Sequence, residues 1–216
     1  MAWPDIRHTY DVVARDYADS FADELAGKPF DRELLDAFAT SVSGAARGPV
    51  VDVGCGPAGH VTRYLADRLE LTDVRVEGID LSPVVVGEAR RRHPDLLFWV
   101  GDLRELPADD GALAGIVSFY SVVHLPRAQW PGAFAEFRRV LVPGGRLLVG
   151  VHGGVGETGV DGWFGRDVAI RTTLVDLEEL TAFAAGAGLT VLERHQRPPY
   201  PGEYPSVRLY LLAEKR

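Results

Sequence analysis

A glycine-rich segment is the first part of the sequence with the residue types of a ligand-binding loop. It runs from Val51 to His60 and contains Gly54, Gly56 and Gly59. A short apolar run precedes it and an amphipathic stretch follows it, so it connects a predicted strand to a predicted helix. Glycine adopts positive φ and lets the backbone approach a ligand closely. Because open α/β sheets bind ligands beyond the carboxyl ends of their parallel strands, we expect a ligand at this loop.

Three aspartates accompany three successive predicted strands. Asp52 lies in the first strand, Asp80 ends the second and Asp102 follows the third. Asp52 suits a ligand with an ammonium group and a sulfonium nearby, Asp80 suits two ribose hydroxyls, and Asp102 suits an adenine amino group. Charge-assisted hydrogen bonds of this kind contribute ~1.5–3 kcal/mol each. Each aspartate alone fits an ordinary turn or cap, but the set favours a single shared ligand.

Two histidines follow later strands. His124 comes after the fourth predicted strand and His152 after the fifth. A histidine with its reference pKa of ~6.5 suits proton removal near neutral pH. The alternative is a histidine that packs beneath the ligand, which we favour for His124. The histidines show no metal-ligand spacing with cysteine or acidic residues, so we expect no metal.

Short apolar runs alternate with amphipathic stretches, which predicts a parallel sheet covered by helices. We expect helices over residues 11–21, 34–42, 61–69, 83–92, 129–141 and 176–187. We expect strands over residues 50–53, 74–79, 96–100, 113–119, 146–151, 189–193 and 207–213. The glycine-rich segment 153–171 lacks a clear period and predicts a loop. The turn over 198–205 allows a hairpin, so the final strand is expected to be antiparallel.

The composition excludes several classes of protein. A length of 216 residues with 46% hydrophobic residues predicts one globular domain. A net charge of −8 without a basic stripe argues against a nucleic-acid binder. The single cysteine, Cys55, excludes internal disulfides and favours the cytoplasm. Charges in the first eight residues argue against a signal peptide, and the sequence lacks an apolar run of ~18 residues that could span a membrane.

Four motifs together resemble the class I S-adenosylmethionine-dependent methyltransferases, most closely their small-molecule branch. They are Asp52-x-Gly54-x-Gly56, Val76-Glu-Gly-Ile-Asp-Leu-Ser82, Gly101-Asp102-Leu103 and Leu141-Val-Pro-Gly-Gly145. Each motif alone is common, whereas the set is specific, and the likeness extends from about Tyr10 to the last residue. One departure is Ala58, which stands where the family usually has a third glycine. Either alanine replaces that glycine, or the turn is one residue longer and uses Gly59.

The resemblance implies an α/β fold with a Rossmann-like, seven-stranded, mostly parallel sheet whose last strand is antiparallel. Helices are expected on both faces of the sheet. An N-terminal helical lid is expected over residues 1–47, and a single methyltransferase unit that binds the cofactor over residues 48–216. The cofactor implied is S-adenosyl-L-methionine, and the activity implied is methyl transfer to a small molecule.

The resemblance also assigns site residues. Cofactor binding is implied for Tyr17, Asp52, Gly54, Cys55, Gly56, Gly59, Asp80, Leu81, Asp102, Leu103, Ser118, Phe119 and His124. Within this set Asp52 steers the methionine end, Asp80 holds the ribose, and Leu81 lies against the adenine. Tyr17 belongs to the lid, or else is a core aromatic residue of its helix, and Cys55 is expected mainly as a small packing residue.

The acceptor site is less defined. We expect the acceptor to meet Tyr120, Trp163, Phe164, Arg166 and Tyr204, with Arg166 or Arg171 facing an acidic group. His124 and His152 are the candidate general bases. Tyr200, Tyr204 and Arg208 reach the acceptor or a partner chain, or serve only the fold. Aromatic residues 163 and 164 could equally close a core under a long loop.

Two other functions remain open at the level of sequence. Gly54-x-Gly56-x-x-Gly59 also fits the fingerprint of an NAD(P)-dependent oxidoreductase, with Asp80 on the ribose. Asp52, Asp102 and the lack of a Tyr-x-x-x-Lys pair argue against that hypothesis. The other possibility is a binding module that keeps the cofactor site without catalysis, because methyl transfer needs few dedicated side chains.

Overall fold

The computed structural model describes residues 5–44 and 48–216, in which helices pack on both faces of a β-sheet. The α-helices are α1 (Ile6–Phe21), α2 (Pro29–Val42), α3 (His60–Leu69), α4 (Pro83–Arg92), α5 (Trp130–Val140) and α6 (Leu177–Gly186). The strands are β1 (Val50–Val53), β2 (Val76–Asp80), β3 (Leu97–Val100), β4 (Leu113–Phe119), β5 (Leu141–Gly153), β6 (Gly156–Asp161), β7 (Ala169–Leu174), β8 (Leu189–Arg197) and β9 (Val207–Lys215).

The main sheet has seven strands in the order β3-β2-β1-β4-β5-β9-β8. Strands β1 to β5 pair in parallel, and β9 runs antiparallel to both β5 and β8. The predicted fold class and the antiparallel last strand are therefore confirmed. Because the glycine loop and all three aspartates lie at the carboxyl ends of adjacent strands, the topology brings them to one edge of the sheet.

Alternate residues of the central strands pack on opposite faces of the sheet. Val50 and Val117 join a core with α2 and α3, whereas Val51 and Ile116 join a core with α5 and α6. Burial on both faces explains why these strands read as continuous apolar runs rather than as alternating patterns.

The segment 153–171 is not the predicted loop, because β6 and β7 form a two-stranded antiparallel hairpin there. Every residue of β6 is at least partly exposed, so its sequence lacks the alternation that marks a half-buried strand. Gly162 and Gly165 carry the turn with φ of 71° and 69°. The hairpin packs against the carboxyl end of the main sheet, since Gly154 N–H donates to the carbonyl of Val175 at 2.9 Å.

The two N-terminal helices exist as predicted, and both begin earlier than expected. Residues 1–4, which include part of the charged start, lie outside the described residues. So do residues 45–47, next to the expected boundary between 47 and 48. Among the helices described, none is both long and apolar enough to cross a membrane.

Candidate functional site

A cavity of about 810 Å³ opens at the carboxyl ends of β1, β2, β4 and β5. Asp52, Asp80 and Asp102 all line it, so the three aspartates predicted to share one ligand face one space. Its volume lies in the range of small-molecule and cofactor sites. Tyr10 and Tyr17 of α1 and Trp163 of the hairpin turn cover the opposite side.

The loop after β1 presents its backbone to this cavity. Gly54 has a φ of 77°, and a Cβ there would lie 2.2 Å from Cβ of Ser121, so only glycine fits. Gly56 has a φ of 64°, and the nearest atom to a Cβ there belongs to the Tyr17 ring at 3.8 Å. The space beside Gly56 is therefore a cradle open toward the cavity, as close approach of a ligand to the backbone requires.

The positive-φ glycine before α3 is Gly59 rather than residue 58. Gly59 has a φ of 58°, and a Cβ there would lie 2.9 Å from the His93 ring. Ala58 is buried, and its carbonyl bonds Nε2 of His93 at 2.9 Å. The left-handed position of this turn is thus Gly59, and Ala58 is not among the described residues with a positive φ.

Asp80 ties the glycine loop to the start of α4. Its two oxygens accept the backbone N–H groups of Gly56 and Ser82, each at 3.1 Å. Each carboxylate oxygen has a second lone-pair site, so the group can still accept bonds from two ligand hydroxyls. Burial raises the pKa of Asp80 to about 6, against the lowering effect of the backbone N–H donors. These features fit a ribose.

The other two aspartates have different environments. Asp52 is buried and accepts a 2.7 Å bond from the Thr62 hydroxyl, and burial raises its pKa to about 6. Asp102 accepts bonds of 2.5–3.0 Å from the Arg104 guanidinium, which holds its pKa below the usual value. Asp102 is thus ionised at neutral pH and partly neutralised by Arg104.

His124 lies at the covered side of the cavity with both ring nitrogens engaged. Its Nδ1 is 3.0 Å from the carbonyl of Arg171 and must donate to it, because a carbonyl only accepts. Its Nε2 therefore carries the lone pair and accepts the Tyr10 hydroxyl proton at 2.9 Å. Burial lowers the pKa of His124, so the ring is neutral near pH 7.

Aromatic rings surround this histidine. Tyr10 makes edge-to-face contacts with Tyr17, His124 and Trp163 at centroid distances of 5.4–5.7 Å. Burial raises the pKa of both tyrosines well above 10, so their hydroxyls stay protonated. This wall of the cavity is apolar except for two hydroxyls and one imidazole.

Tyr120 and His152 line the far end of the cavity, at β4 and β5. Tyr120 has a φ of 57°, an uncommon conformation for a residue with a side chain, and its N–H donates to the carbonyl of Gly150 at 2.8 Å. The His152 ring lies 5.0 Å from the Tyr120 ring and 5.9 Å from the Tyr204 ring. Burial and the nearby Arg208 lower the pKa of His152 to about 3.

Most residues predicted from the sequence come together in this cavity. Those in its lining are Tyr17, Asp52, Gly54, Cys55, Gly56, Asp80, Leu81, Asp102, Leu103, Phe119, Tyr120, His124, His152, Trp163 and Tyr204. Four others lie outside the lining: Gly59, Ser118, Phe164 and Arg166. Ser118 is buried and bonds the Ser121 hydroxyl at 2.6 Å, and the exposed Arg166 pairs with Asp16 at 2.7 Å. Arg171 pairs with Asp161, also at 2.7 Å.

The sequence analysis did not identify Tyr10 or Lys28, which also line the cavity. Tyr10 precedes Tyr17 by two helical turns, so the helical period of α1 carries a signal for it. Lys28 belongs to no motif, and its environment depends on residues far away in the chain. Among the described residues no group of three or more His, Cys, Asp or Glu side chains could hold a metal ion.

Comparison with known proteins adds to this picture. The family described as "Methyltransferase domain" matches residues 50–145, which include β1 to β4, the glycine loop and the three aspartates. In solved structures, a SAM-dependent methyltransferase from Methanosarcina mazei superimposes with a TM-score of 0.68. It is 16% identical and the match covers 77% of this chain and 92% of that one, so the likeness concerns the fold.

Two curated relatives match at the level of sequence. A demethylmenaquinone methyltransferase of Beutenbergia cavernae is 30% identical over 145 residues, which are 67% of this chain and 57% of the relative. A dTDP-3-amino-3,6-dideoxy-alpha-D-glucopyranose N,N-dimethyltransferase of Streptomyces fradiae is 32% identical over 125 residues, 57% of this chain and 47% of the relative. The chain thus spans about half the length of these relatives.

Proposed function

We propose that this chain, which belongs to the class I S-adenosylmethionine-dependent methyltransferases, transfers a methyl group to a small-molecule acceptor. The cofactor predicted from the sequence is confirmed as S-adenosylmethionine. When bound, it supplies a methyl group on a positively charged sulfur for direct in-line displacement. The observation that carries the proposal is the convergence of Asp52, Asp80 and Asp102 on one cavity beside the open cradle at Gly56.

Different residues of the chain hold different parts of the cofactor. Asp80 accepts the ribose hydroxyls, with Leu81 and Leu103 beside the adenine. Asp102 accepts the adenine amino group with the oxygen capacity that Arg104 leaves free. Asp52 and the backbone of the glycine loop fix the methionine end, with Tyr17 closing over Gly56.

The aromatic wall supports transfer by excluding water. Positive charge on sulfur falls as the methyl group moves, so a site with few water molecules favours the transition state. Holding the acceptor in line with the methyl group can contribute up to ~7–11 kcal/mol, and no covalent enzyme intermediate is needed. Tyr10, Tyr17 and Trp163 are the side chains that enclose this region.

His124 has two possible roles, and its contacts favour packing. Its only lone pair already accepts the Tyr10 hydroxyl, so an acceptor proton reaches Nε2 only through Tyr10 or after that bond breaks. His152 has its pKa lowered to about 3 and is a poor base at neutral pH. An acceptor that arrives as a carboxylate, a phenolate or a free amine needs no base.

The acceptor class is supported by the relatives and by the cavity. Demethylmenaquinone and a dTDP-amino sugar, the substrates in the two relatives' names, are small molecules. We further propose that residues 1–47 act as a lid on the unit formed by residues 48–216. A cytoplasmic location stays a prediction from the single cysteine.

Calorimetry with S-adenosylhomocysteine and, separately, NAD tests the proposal. S-adenosylhomocysteine is expected to bind with a Kd in the micromolar range and to raise Tm, whereas NAD is expected to do neither. Binding of NAD alone would instead support the oxidoreductase hypothesis. Binding of S-adenosylhomocysteine, followed by failure to methylate any acceptor in a screen with labelled donor, would support the binding module.

A further inference from the structure

Arg208 of β9 is a buried cation at the far end of the cavity. Its relative exposure is 3%, and it lines the cavity with Tyr120, His152 and Tyr204. Arg208 and His152 are directly paired in the antiparallel register of β5 and β9, so their side chains leave the same face of the sheet. A buried guanidinium cannot lose its charge, so its environment must compensate that charge.

Among the described residues, hydrogen bonds of the Arg208 guanidinium are found only from Nη1, and its Cζ lies 5.7 Å from the Tyr120 ring centroid. Nη1 donates to the carbonyl and the hydroxyl of Ser206 at 2.6 and 2.7 Å. Nε is enclosed and has no hydrogen-bond partner among the described residues. No bond from Nη2 is found within the described part of the chain either. The Nε–Nη2 edge therefore makes no hydrogen bond to the described residues, and because Nε is enclosed, Nη2 is the donor of this edge that a ligand can reach.

The nearest carboxylate does not satisfy this edge. Glu203 Oε1 is 3.7 Å from Nε of Arg208, beyond hydrogen-bond distance. Glu203 instead accepts bonds from both Nη atoms of Arg197 at 2.6 and 3.0 Å, from the Tyr200 N–H at 2.7 Å and from Lys28 at 2.9 Å. These donors partly neutralise the negative charge of Glu203, so Glu203 repels a second anion less strongly.

The position of Arg208 separates it from the cofactor cradle. β9 lies three strand positions from β1, which leads into the glycine loop, so the backbones are about 14 Å apart at a spacing of ~4.8 Å. The adenosine side of the site lies farther still, at β2 and β3. This separation favours the acceptor over the cofactor as the source of an anion on Arg208.

We propose that the acceptor carries a carboxylate, which accepts a hydrogen bond from Nη2 of Arg208 beside Tyr120 and His152. This inference rests on the proposed methyl transfer, since it assigns the far end of the cavity to the acceptor. Arg166 and Arg171, the cations expected from the sequence to face an acidic group, already pair with Asp16 and Asp161. The carboxylate is either the methylated group or an anchor that orients another atom toward the methyl group.

The test compares the binding of acids with the binding of the matched amides. Calorimetry measures binding of aliphatic and aromatic monocarboxylates, from acetate to cinnamate, and of their primary amides, to protein saturated with S-adenosylhomocysteine. At least one acid is expected to bind ten-fold more tightly than its amide. Arg208→Gln is expected to weaken binding of that acid at least ten-fold and to leave binding of its amide unchanged. Arg208→Lys is expected to be intermediate, because it keeps the positive charge and loses the guanidinium donor at Nη2.

The controls separate this inference from the proposed function. Arg194→Gln removes a surface cation of β8 that pairs with Glu178 and lies outside the cavity lining, and it is expected to change nothing. Wild type and both Arg208 variants are expected to bind S-adenosylhomocysteine within two-fold of one another, which also shows that they are folded. Equal binding of acids and amides, no preferred acid, or an acid preference that survives Arg208→Gln would each overturn the inference. Failure of wild type to bind S-adenosylhomocysteine would overturn the proposed function itself.

Discussion

At the scale of single residues, two of the three aspartates of the site have no cation beside them. No ion pair to Asp52 or Asp80 is found in the described part of the chain, and burial raises the pKa of each to about 6. In the proposed site, an ammonium group beside Asp52 and ribose hydroxyls that donate to Asp80 would stabilise the ionised form of both carboxylates. The free protein thus keeps two carboxylates partly protonated under mildly acidic conditions.

Binding of S-adenosylhomocysteine is expected to weaken as pH falls below 6. At pH 5, one unit below the pKa, only about a tenth of each such carboxylate is ionised, so each of the two contributes about a ten-fold rise in Kd from its value at pH 7.5. Calorimetry at constant ionic strength measures this change, and Asp80→Asn is expected to flatten it. An equal Kd at both pH values would show that the ionised carboxylates do not hold the ligand.

The stability of the ligand-free protein depends on pH in the opposite direction: ligand affinity is expected to rise with pH, whereas the free energy of unfolding is expected to fall. A raised pKa means that the native state binds protons more tightly than the unfolded chain between about pH 4 and 6. Asp52 and Asp80 therefore lower the free energy of unfolding as pH rises through that window, and their contribution is constant above it. Urea unfolding of wild type and Asp52→Asn at pH 4.5 and 6.5 measures the difference, which is expected to shrink in the variant.

Asp80→Ala is expected to weaken the binding of S-adenosylhomocysteine at least ten-fold, which corresponds to about 1.4 kcal/mol of binding free energy. The variant loses the ribose acceptor and also the contacts that orient Gly56 and Ser82. Asp95→Ala is the matched control, because Asp95 is an exposed carboxylate paired with Arg63 outside the cavity. Unchanged affinity in Asp80→Ala would place the ribose elsewhere.

His124→Ala is expected to cost about 2–3 kcal/mol of stability, since it removes a partly buried ring together with its hydrogen bonds to the Tyr10 hydroxyl and the Arg171 carbonyl. His8→Ala, on the exposed face of α1, is expected to stay within about 0.5 kcal/mol. Urea unfolding compares the two. Methyl transfer at saturating cofactor is expected to persist in His124→Ala, and its loss would make His124 the base.

At the scale of elements, the sequence predicted best what is determined locally. The strand ends with Asp52, Asp80 and Asp102 were predictable because each motif lies next to its own apolar run. The β6–β7 hairpin was not predictable, because most of its residues are at least partly exposed and its strands therefore lack an alternating apolar pattern. Lys28 and Arg197 were not predictable as site neighbours either, because their partners are distant in the chain: Glu203 bonds both, and Asp31 bonds Arg197 across 166 positions.

The turn into α3 gives a prediction at this scale. Gly59→Ala is expected to lower the free energy of unfolding by about 1–3 kcal/mol, because alanine is strained at a φ of 58° and its Cβ would meet the His93 ring. Gly87→Ala within α4 is the matched control, where a Cβ meets nothing within 4 Å. It is expected to raise stability by about 0.5–1 kcal/mol. Equal effects in urea unfolding would contradict the assignment of Gly59 as the strained position.

At the scale of the whole molecule, a buried polar cluster joins the N-terminal helices to the last two strands. Asp31 of α2 accepts bonds from Arg197 of β8 at 2.7 and 3.1 Å and from the Tyr210 hydroxyl of β9 at 2.8 Å. Asp31 and Tyr210 are at most 1% exposed. The helix α2 is therefore anchored to the sheet, so movement of the proposed lid would be limited to α1.

Breaking this cluster on one side is expected to destabilise the fold strongly. Asp31→Asn removes one of the two carboxylates that pair with the buried Arg197, which keeps Glu203, and is expected to cost about 1–3 kcal/mol. Arg197→Met leaves the buried Asp31 and Glu203 without their shared cation and is expected to cost more, about 3–5 kcal/mol. Urea unfolding compares the two variants, and an Arg197→Met protein as stable as Asp31→Asn would show that the charge of Arg197 is not what the cluster depends on.

The place of β9 in the sheet has a consequence for synthesis of the chain. β9 is the last strand in sequence, yet it lies between β5 and β8 and carries Arg208. While residues 207–215 are still inside the ribosome, β5 has an open edge and β8 has no neighbour to pair with. A nascent or truncated chain that ends before β9 thus lacks both the strand that joins β5 to β8 and the arginine proposed to bind the acceptor.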